Sequence, residues 1–494
     1  MARTSTGRGA PASGGRRGKT STAAQAGAVA DSAGEPASAE AEPRRLKQAV
    51  VIVHGMGEQR PMSTLRDFVE AVWAKNPSIN DAAGHANAAQ YWITPDDRTG
   101  SHELRRIVTP YVNDIRTDFY EFYWADLTQG TTRGRLYAWI RELLCRERSE
   151  IPDDARRLYW ATAVVAALFV LLAVLVAIST LFSPSVAIAV ALAAGFVSWV
   201  LDQFALPYFG DVASYVQATP ATVAGRKAVR ERGLHLLRRL SNDPDYDRIV
   251  LVGHSLGSII AYDLLQILWD ERRPRDLVFP RDRPLTDTIR AVGAFAILPG
   301  DVDPAGDLTA LRGAQWSLYQ MLREGTATRP AWKVSDFVTV GSPLTHAEFL
   351  LARNDDALRE GISERLFATC PPQSDEAAEP EIMYYAKPRS RAVHHGACFA
   401  ATRWSNVFDV GNLLWTGDPI SGSLHGNFGW GIKEFRVAIR RRRARLIPRL
   451  FTHTLYWSSA DNADLVGDAN AGPQGHLTSL RKALDLLREE AGTP

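Results

Sequence analysis

Three observations predict an α/β protein: a mostly parallel sheet flanked by helices, interrupted by a two-helix transmembrane hairpin. Short apolar, β-branched runs alternate with longer helix-like stretches, the pattern of strands linked by crossover helices. One run, Ile249 to Val252, passes through Gly253-His254-Ser255-Leu256-Gly257 directly into an apolar helix-like segment. A stretch without a single charge, Leu158 to Leu201, breaks the alternation.

Residues 1 to 46 consist largely of Ala, Gly, Ser, Thr and Pro with scattered Arg, and have no periodicity with which to bury a core, so a disordered tail is expected. Arg16-Arg17 is followed by no apolar run and does not read as an export signal. The first strand, Gln48 to Val53, ends in His54-Gly55-Met56-Gly57-Glu58-Gln59, where the glycines allow close approach of backbone to a neighbour or ligand. A second strand, Phe119 to Trp124, is so aromatic that core packing is its first reading.

Spanning a bilayer takes about 20 apolar residues per helix. The uncharged stretch therefore predicts two helices, Tyr159 to Phe182 and Val186 to Leu206, joined at Ser183-Pro184-Ser185, the second carrying Asp202 near its end. Arg141, Arg146, Arg148, Arg156 and Arg157 precede it, and Arg226, Lys227, Arg230 and Arg232 follow. The positive-inside rule puts both ends in the cytoplasm, at an inner or plasma membrane. A 158–206 hairpin then divides one catalytic domain into parts 47–157 and 207–494 on the same side.

The strand at 248–252 leads into a turn of a particular kind. A serine lifted on a sharp strand-to-helix turn needs small residues two before and two after it, as Gly253 and Gly257 supply around Ser255. That makes Ser255 a candidate nucleophile, with the Leu256 amide a candidate donor to a developing oxyanion. Further strands are expected at 336–340, 404–408 and about 446–452. Ala291 to Leu298 fits a strand, a buried helix end or part of a lid. Residues 355 to 385, acidic and proline-containing, read as a surface excursion. His476 opens an amphipathic helix whose Leu477, Leu480, Leu484 and Leu487 share a face. Arg440 to Arg443, Arg445 and Arg449, after Lys433 and Arg436, form a basic segment that fits a helix only loosely and suits anionic headgroups or solvent.

At 494 residues and 46% apolar, the chain can build one large core with additions. A net charge of +2, with no recognisable reading module, gives no reason to expect a nucleic-acid partner. Cys145, Cys370 and Cys398 are far apart and odd in number, which suits a reducing compartment and supplies neither a disulfide framework nor zinc spacing. No metal or cofactor is expected, and oligomeric state is not legible.

His-Gly-x-Gly-Glu-Gln at 54–59 and Gly-His-Ser-Leu-Gly at 253–257, with Phe337 to Leu344, Asp418-Pro419-Ile420 and His453-Thr454-Leu455-Tyr456-Trp457, resemble the α/β-hydrolase superfamily in its lipase and esterase branch. The likeness covers most of 47–460 outside the apolar insertion. It implies an oxyanion hole from the amides of Met56 and Leu256, and a triad in the order serine, acid, histidine. Two acids follow the 404–408 strand, Asp409 at its end and Asp418 in a lipase-like Asp-Pro turn; Asp418 is preferred and Asp409 remains the alternative. Of the later histidines, His425 lies in a glycine-rich loop and His476 starts a helix, leaving His453 as the base. The resemblance thus implies a membrane-tethered serine hydrolase acting on a small-molecule or lipid ester. A hydrolase-type fold that binds without turnover, as a membrane scaffold, is the alternative.

Overall fold

The computed structural model describes residues 45–55, 60–82, 90–100, 103–127, 220–298, 306–374, 381–409, 417–418, 420–439, 452–458 and 475–488, with scattered positions between 160 and 215. The apolar runs become the middle of an eight-stranded sheet because each is buried on both faces. β1 (Leu46–Val53) is followed by α1 (Ser63–Val69), β2 (Trp92–Pro95), β3 (Arg105–Val108) and β4 (Ile115–Phe122). After the inserted segment come α2 (Pro220–Asn242), β5 (Arg248–His254) and α3 (Leu256–Arg272), then α4 (Arg283–Gly293), α5 (Leu308–Leu322) and β6 (Val334–Val340). α6 (Asp355–Ser363), a hairpin of β7 (Met383–Lys387) and β8 (Ser390–Val393), β9 (Arg403–Asp409), β10 (Lys433–Val437) and α7 (His476–Leu484) complete the chain.

The sheet order is β10-β9-β6-β5-β1-β4-β3-β2. β4, β1, β5, β6, β9 and β10 run parallel, and only β3 and β2 are antiparallel additions at one edge. Alternation along the strands divides the core in two. Val51, Val53, Leu251 and Phe337 pack under α2, α3 and α5, whereas Val50, Ile52, Val252 and Val338 pack against α1 and α7. The α/β class with a mostly parallel, helix-flanked sheet is therefore the observed one.

Several expectations are revised. β1 already includes Leu46, which the sequence assigned to the tail. The basic segment begins as an edge strand, since Lys433 to Val437 pairs with β9, and Arg440 to Arg449 lie outside the described residues. The strand expected at about 446–452 lies mostly outside the described residues, and Thr452 is in a loop. Ala291 to Leu298 is the end of α4 followed by a turn, with a single bridge from Ile297 to Gln373. The 355–385 stretch is a surface excursion only in part, because Ala368 to Ser374 is buried. Most of the 158–206 hairpin lies outside the described residues; among the described residues no helix is long and apolar enough to cross a membrane.

Candidate active site

The centre of the sheet delivers Ser255 on a turn that few sequences permit. Its φ of 53° and ψ of −131° cost a non-glycine residue roughly 1–3 kcal/mol, which the surroundings must impose. They do so by crowding and hydrogen bonds. A Cβ on Gly253 would lie 2.5 Å from Ser258 Cα, and one on Gly257 would lie 2.2 Å from the Val53 carbonyl oxygen. The Ser255 N–H donates to Val340 O at 3.1 Å. Ser258 holds the Ser255 carbonyl from both its N–H, at 2.9 Å, and its hydroxyl, at 2.6 Å.

His453, on the 452–458 turn, brings Nε2 within 2.7 Å of Ser255 Oγ and Nδ1 within 2.9 Å of Asp418 Oδ2. All three side chains are nearly fully buried. Burial alone would raise the Asp418 carboxyl, but the charge and hydrogen bond of His453, with the Tyr456 and Ser421 hydroxyls, hold it down to about 2. An ionised carboxylate can only accept. Nδ1 therefore carries a proton, and in the neutral form of the ring Nε2 is the nitrogen left to accept from the serine hydroxyl.

Of the two acids, Asp418 is the one on His453 Nδ1. The Asp409 carboxylate takes the Thr452 hydroxyl at 2.7 Å and the Ile439 N–H at 3.4 Å, so it braces the turn that carries the histidine. His425 meets Ile432 O at 2.8 Å and His476 begins α7.

Leu256 opens α3, so its amide is among the helix-start N–H groups with no intrahelical acceptor. Met56 lies outside the described residues. Its neighbour Gly55 runs against Ser255, where an added Cβ would sit 2.8 Å from Ser255 Cβ. His54 supports that approach. Trp124 N–H donates to its Nε2 at 3.3 Å, Nδ1 faces Gly55 O at 2.9 Å, and the ring stacks on Trp124. Burial lowers its pKa to about 4 against the Gly55 hydrogen bond and the Asp126 charge, so the ring is neutral and Nδ1–H is the donor to Gly55.

Three contributors had no role assigned from the sequence. His254, whose pKa burial and the His453 charge lower to about 3, donates from Nε2 to the His453 carbonyl at 3.0 Å. Tyr456 donates to Asp418 Oδ2 at 2.8 Å. Thr452 ties the turn to Asp409. Only the three-residue spacing of Tyr456 from His453 hinted at any of them. Two cysteines, Cys370 and Cys398, are buried free thiols, with Cys370 pushed up to about 12 by burial, so neither is a competing nucleophile; Cys145 lies outside the described residues. Among the described residues no group of His, Cys, Asp and Glu is arranged to hold a metal. No family model, curated protein or solved structure matches the chain.

Proposed function

We propose that this protein is a serine ester hydrolase of α/β-hydrolase type, tethered to a membrane. The observation that carries the reading is the unbroken chain from Ser255 Oγ through His453 to Asp418, at 2.7 and 2.9 Å. In the reaction it supports, Ser255 Oγ bonds to the acyl carbon while its proton passes to His453 Nε2. The carbonyl oxygen, now negative, is held by the Leu256 amide and, by resemblance, that of Met56. Collapse expels the alcohol, which takes the proton from Nε2. A water then attacks the acyl-enzyme, again giving its proton to Nε2, and the carboxylic acid leaves as Ser255 is regenerated.

Tethering rests on the uncharged 158–206 stretch with its flanking arginines. It is supported by exposed apolar side chains on helical positions there, including Trp160, Val164, Leu171, Leu175, Ile188 and Leu192. A bilayer-held enzyme meets dissolved lipid esters at high local concentration, so these are the proposed substrates. The protein should stay with membranes through a carbonate wash, and its recovery in the supernatant would remove the case for lipid.

One observation favours a binding protein without turnover: Ser255 is only 1% exposed. A fluorophosphonate probe separates the two readings. Covalent labelling of the full chain that is lost in Ser255→Ala supports the hydrolase, and absence of labelling supports the scaffold.

A further inference from the structure

The triad carboxylate is shared. Asp418 Oδ2 faces His453 Nδ1 at 2.9 Å and also accepts from the Tyr456 hydroxyl at 2.8 Å, while Oδ1 takes the Ile420 N–H at 3.0 Å. The Tyr456 hydroxyl has one proton, and Asp418 has it. Its lone pairs then accept the Asp409 N–H at 3.0 Å and face the Ser421 hydroxyl at 2.9 Å, whose proton is also within reach of Asp418. The oxygen thus has three polar partners, inside a side chain that is 1% exposed. The ring is held as firmly. It meets His254 edge-on at 6.1 Å between centroids, and Gly341, at φ 58°, leaves room for it where a Cβ would lie 2.6 Å from Cε2.

We infer that Tyr456 is a positioning residue for the triad: its hydroxyl draws on the same carboxylate oxygen as His453 and so sets how strongly Asp418 holds the imidazole. The inference rests on the hydrolase reading above. Two donors on one oxygen divide its negative charge between them. With the tyrosine proton present, part of that charge is already answered, and the carboxylate binds the imidazolium less tightly than it would alone. Without it, Asp418 is the better acceptor and His453 keeps its added proton to higher pH. The same hydroxyl joins the backbone of the second acid, Asp409, to the first, Asp418, and so fixes the end of β9 against the turn that bears His453.

A structural role would lower the active fraction equally at every pH; the role inferred here moves the acid limb of the pH profile. The test is the rate of covalent labelling of the full-length protein by a fluorophosphonate across pH 5 to 9, which needs no knowledge of the natural ester. Tyr456→Phe removes only an oxygen and keeps the ring. The expected result is a limb displaced upward by roughly half a pH unit, with the plateau rate within about tenfold of the parent. Ser421→Ala, at the half-exposed edge of the network, takes one donor from the tyrosine oxygen and from Asp418, both of which it faces, and should move the limb the same way by less. It also keeps the test open if the phenylalanine variant fails to fold. A limb that coincides with that of the parent, or moves downward, in the variants that fold overturns the inference. Failure of the parent to label, or labelling that survives Ser255→Ala, would instead overturn the hydrolase reading.

Discussion

The two ends of the central strands both bury polar networks, and they are built for opposite purposes. At the carboxyl end, Ser255, His453 and Asp418 form a short line in which a proton can change hands. At the amino end, Arg248 is completely buried and joins Asp336 at 2.7 Å, Gln48 at 3.0 Å and the carbonyls of Leu484 and Asp485 at 3.3 and 2.8 Å. Arg403 approaches the other Asp336 oxygen at 2.8 Å. Guanidinium does not give up its proton, so this second network can only hold. What it holds is the carbonyl end of α7, clamped to β1, β5 and β6. Burial would raise the Asp336 carboxyl, but the Arg403 and Arg248 charges hold it far below the usual carboxylate range. The difference teaches that burial makes a polar cluster rigid whatever its composition, and that a titratable imidazole turns rigidity into chemistry.

The sharpest way to break the comparison is at the proton-carrying end. Ser255→Ala or His453→Ala should reduce turnover of a short-chain ester on the order of 10⁶-fold. Thermal unfolding of Ser255→Ala should stay close to the parent, whereas His453→Ala removes a buried ring and a partner of Asp418, so its activity is compared per folded molecule. Undiminished esterase activity in purified Ser255→Ala protein would falsify the assignment. Asp418→Asn should cost on the order of 10⁴ in turnover by favouring the wrong imidazole tautomer. Asp409→Asn, whose parent side chain braces Thr452, should cost far less activity, and steady-state kinetics on the pair would expose an inverted assignment.

The holding end should behave in reverse. Arg248→Ala leaves Asp336 with one buried partner fewer and the α7 carbonyls without their donor, and should destabilise by about 3–5 kcal/mol. Denaturant titration would measure this, and kcat per folded molecule should stay near the parental value. A third buried charge sharpens the contrast. Glu121, on β4, has one carboxylate oxygen on the Met62 N–H at 2.6 Å and the other without a partner. Burial raises it from 4.5 to about 7 against that hydrogen bond. A carboxyl raised on folding contributes stability that is complete below pH about 4.5 and lost as pH rises through 7. Glu121→Gln should therefore flatten the stability profile between those limits and gain at most about 3 kcal/mol at pH 8. An unchanged slope there would mean that the carboxyl is not buried in solution.

How much of this was readable in the sequence depended on burial on two faces. β1 and β5 announce themselves because both sides of each strand meet core, leaving the continuous apolar runs Ala49–Val53 and Ile249–Val252. β4, β6 and β9 show through their buried aromatic and β-branched residues despite the polar ones between them. β2, β3 and β10 do not, because Trp92–Pro95, Arg105–Val108 and Lys433–Val437 are short, at or beside the edges, and mixed in character. Ser255 was legible because its turn demands glycines at two fixed positions. The partner of His453 was legible only as a preference: the Asp418-Pro419 turn favoured the residue that reaches Nδ1, but Asp409 is buried beside the same turn and differs by ångströms that spacing cannot encode.

The direction of α2 has one more consequence. Arg230 meets Asp263 midway along α3 and Arg238 meets Glu271 near its end, so the two helices run alongside each other in the same sense. α3 starts at Ser255, and α2 therefore begins at the serine's side of the sheet. β4, parallel to β1 and hence to β5, also ends on that side. Leu127 and Pro220 therefore both lie on the side of the sheet where Ser255 stands, and Tyr215, buried just before Pro220, donates its hydroxyl to Asp263 at 2.8 Å. The ends that flank the 128–219 segment thus share a side of the sheet with the Ser255 turn.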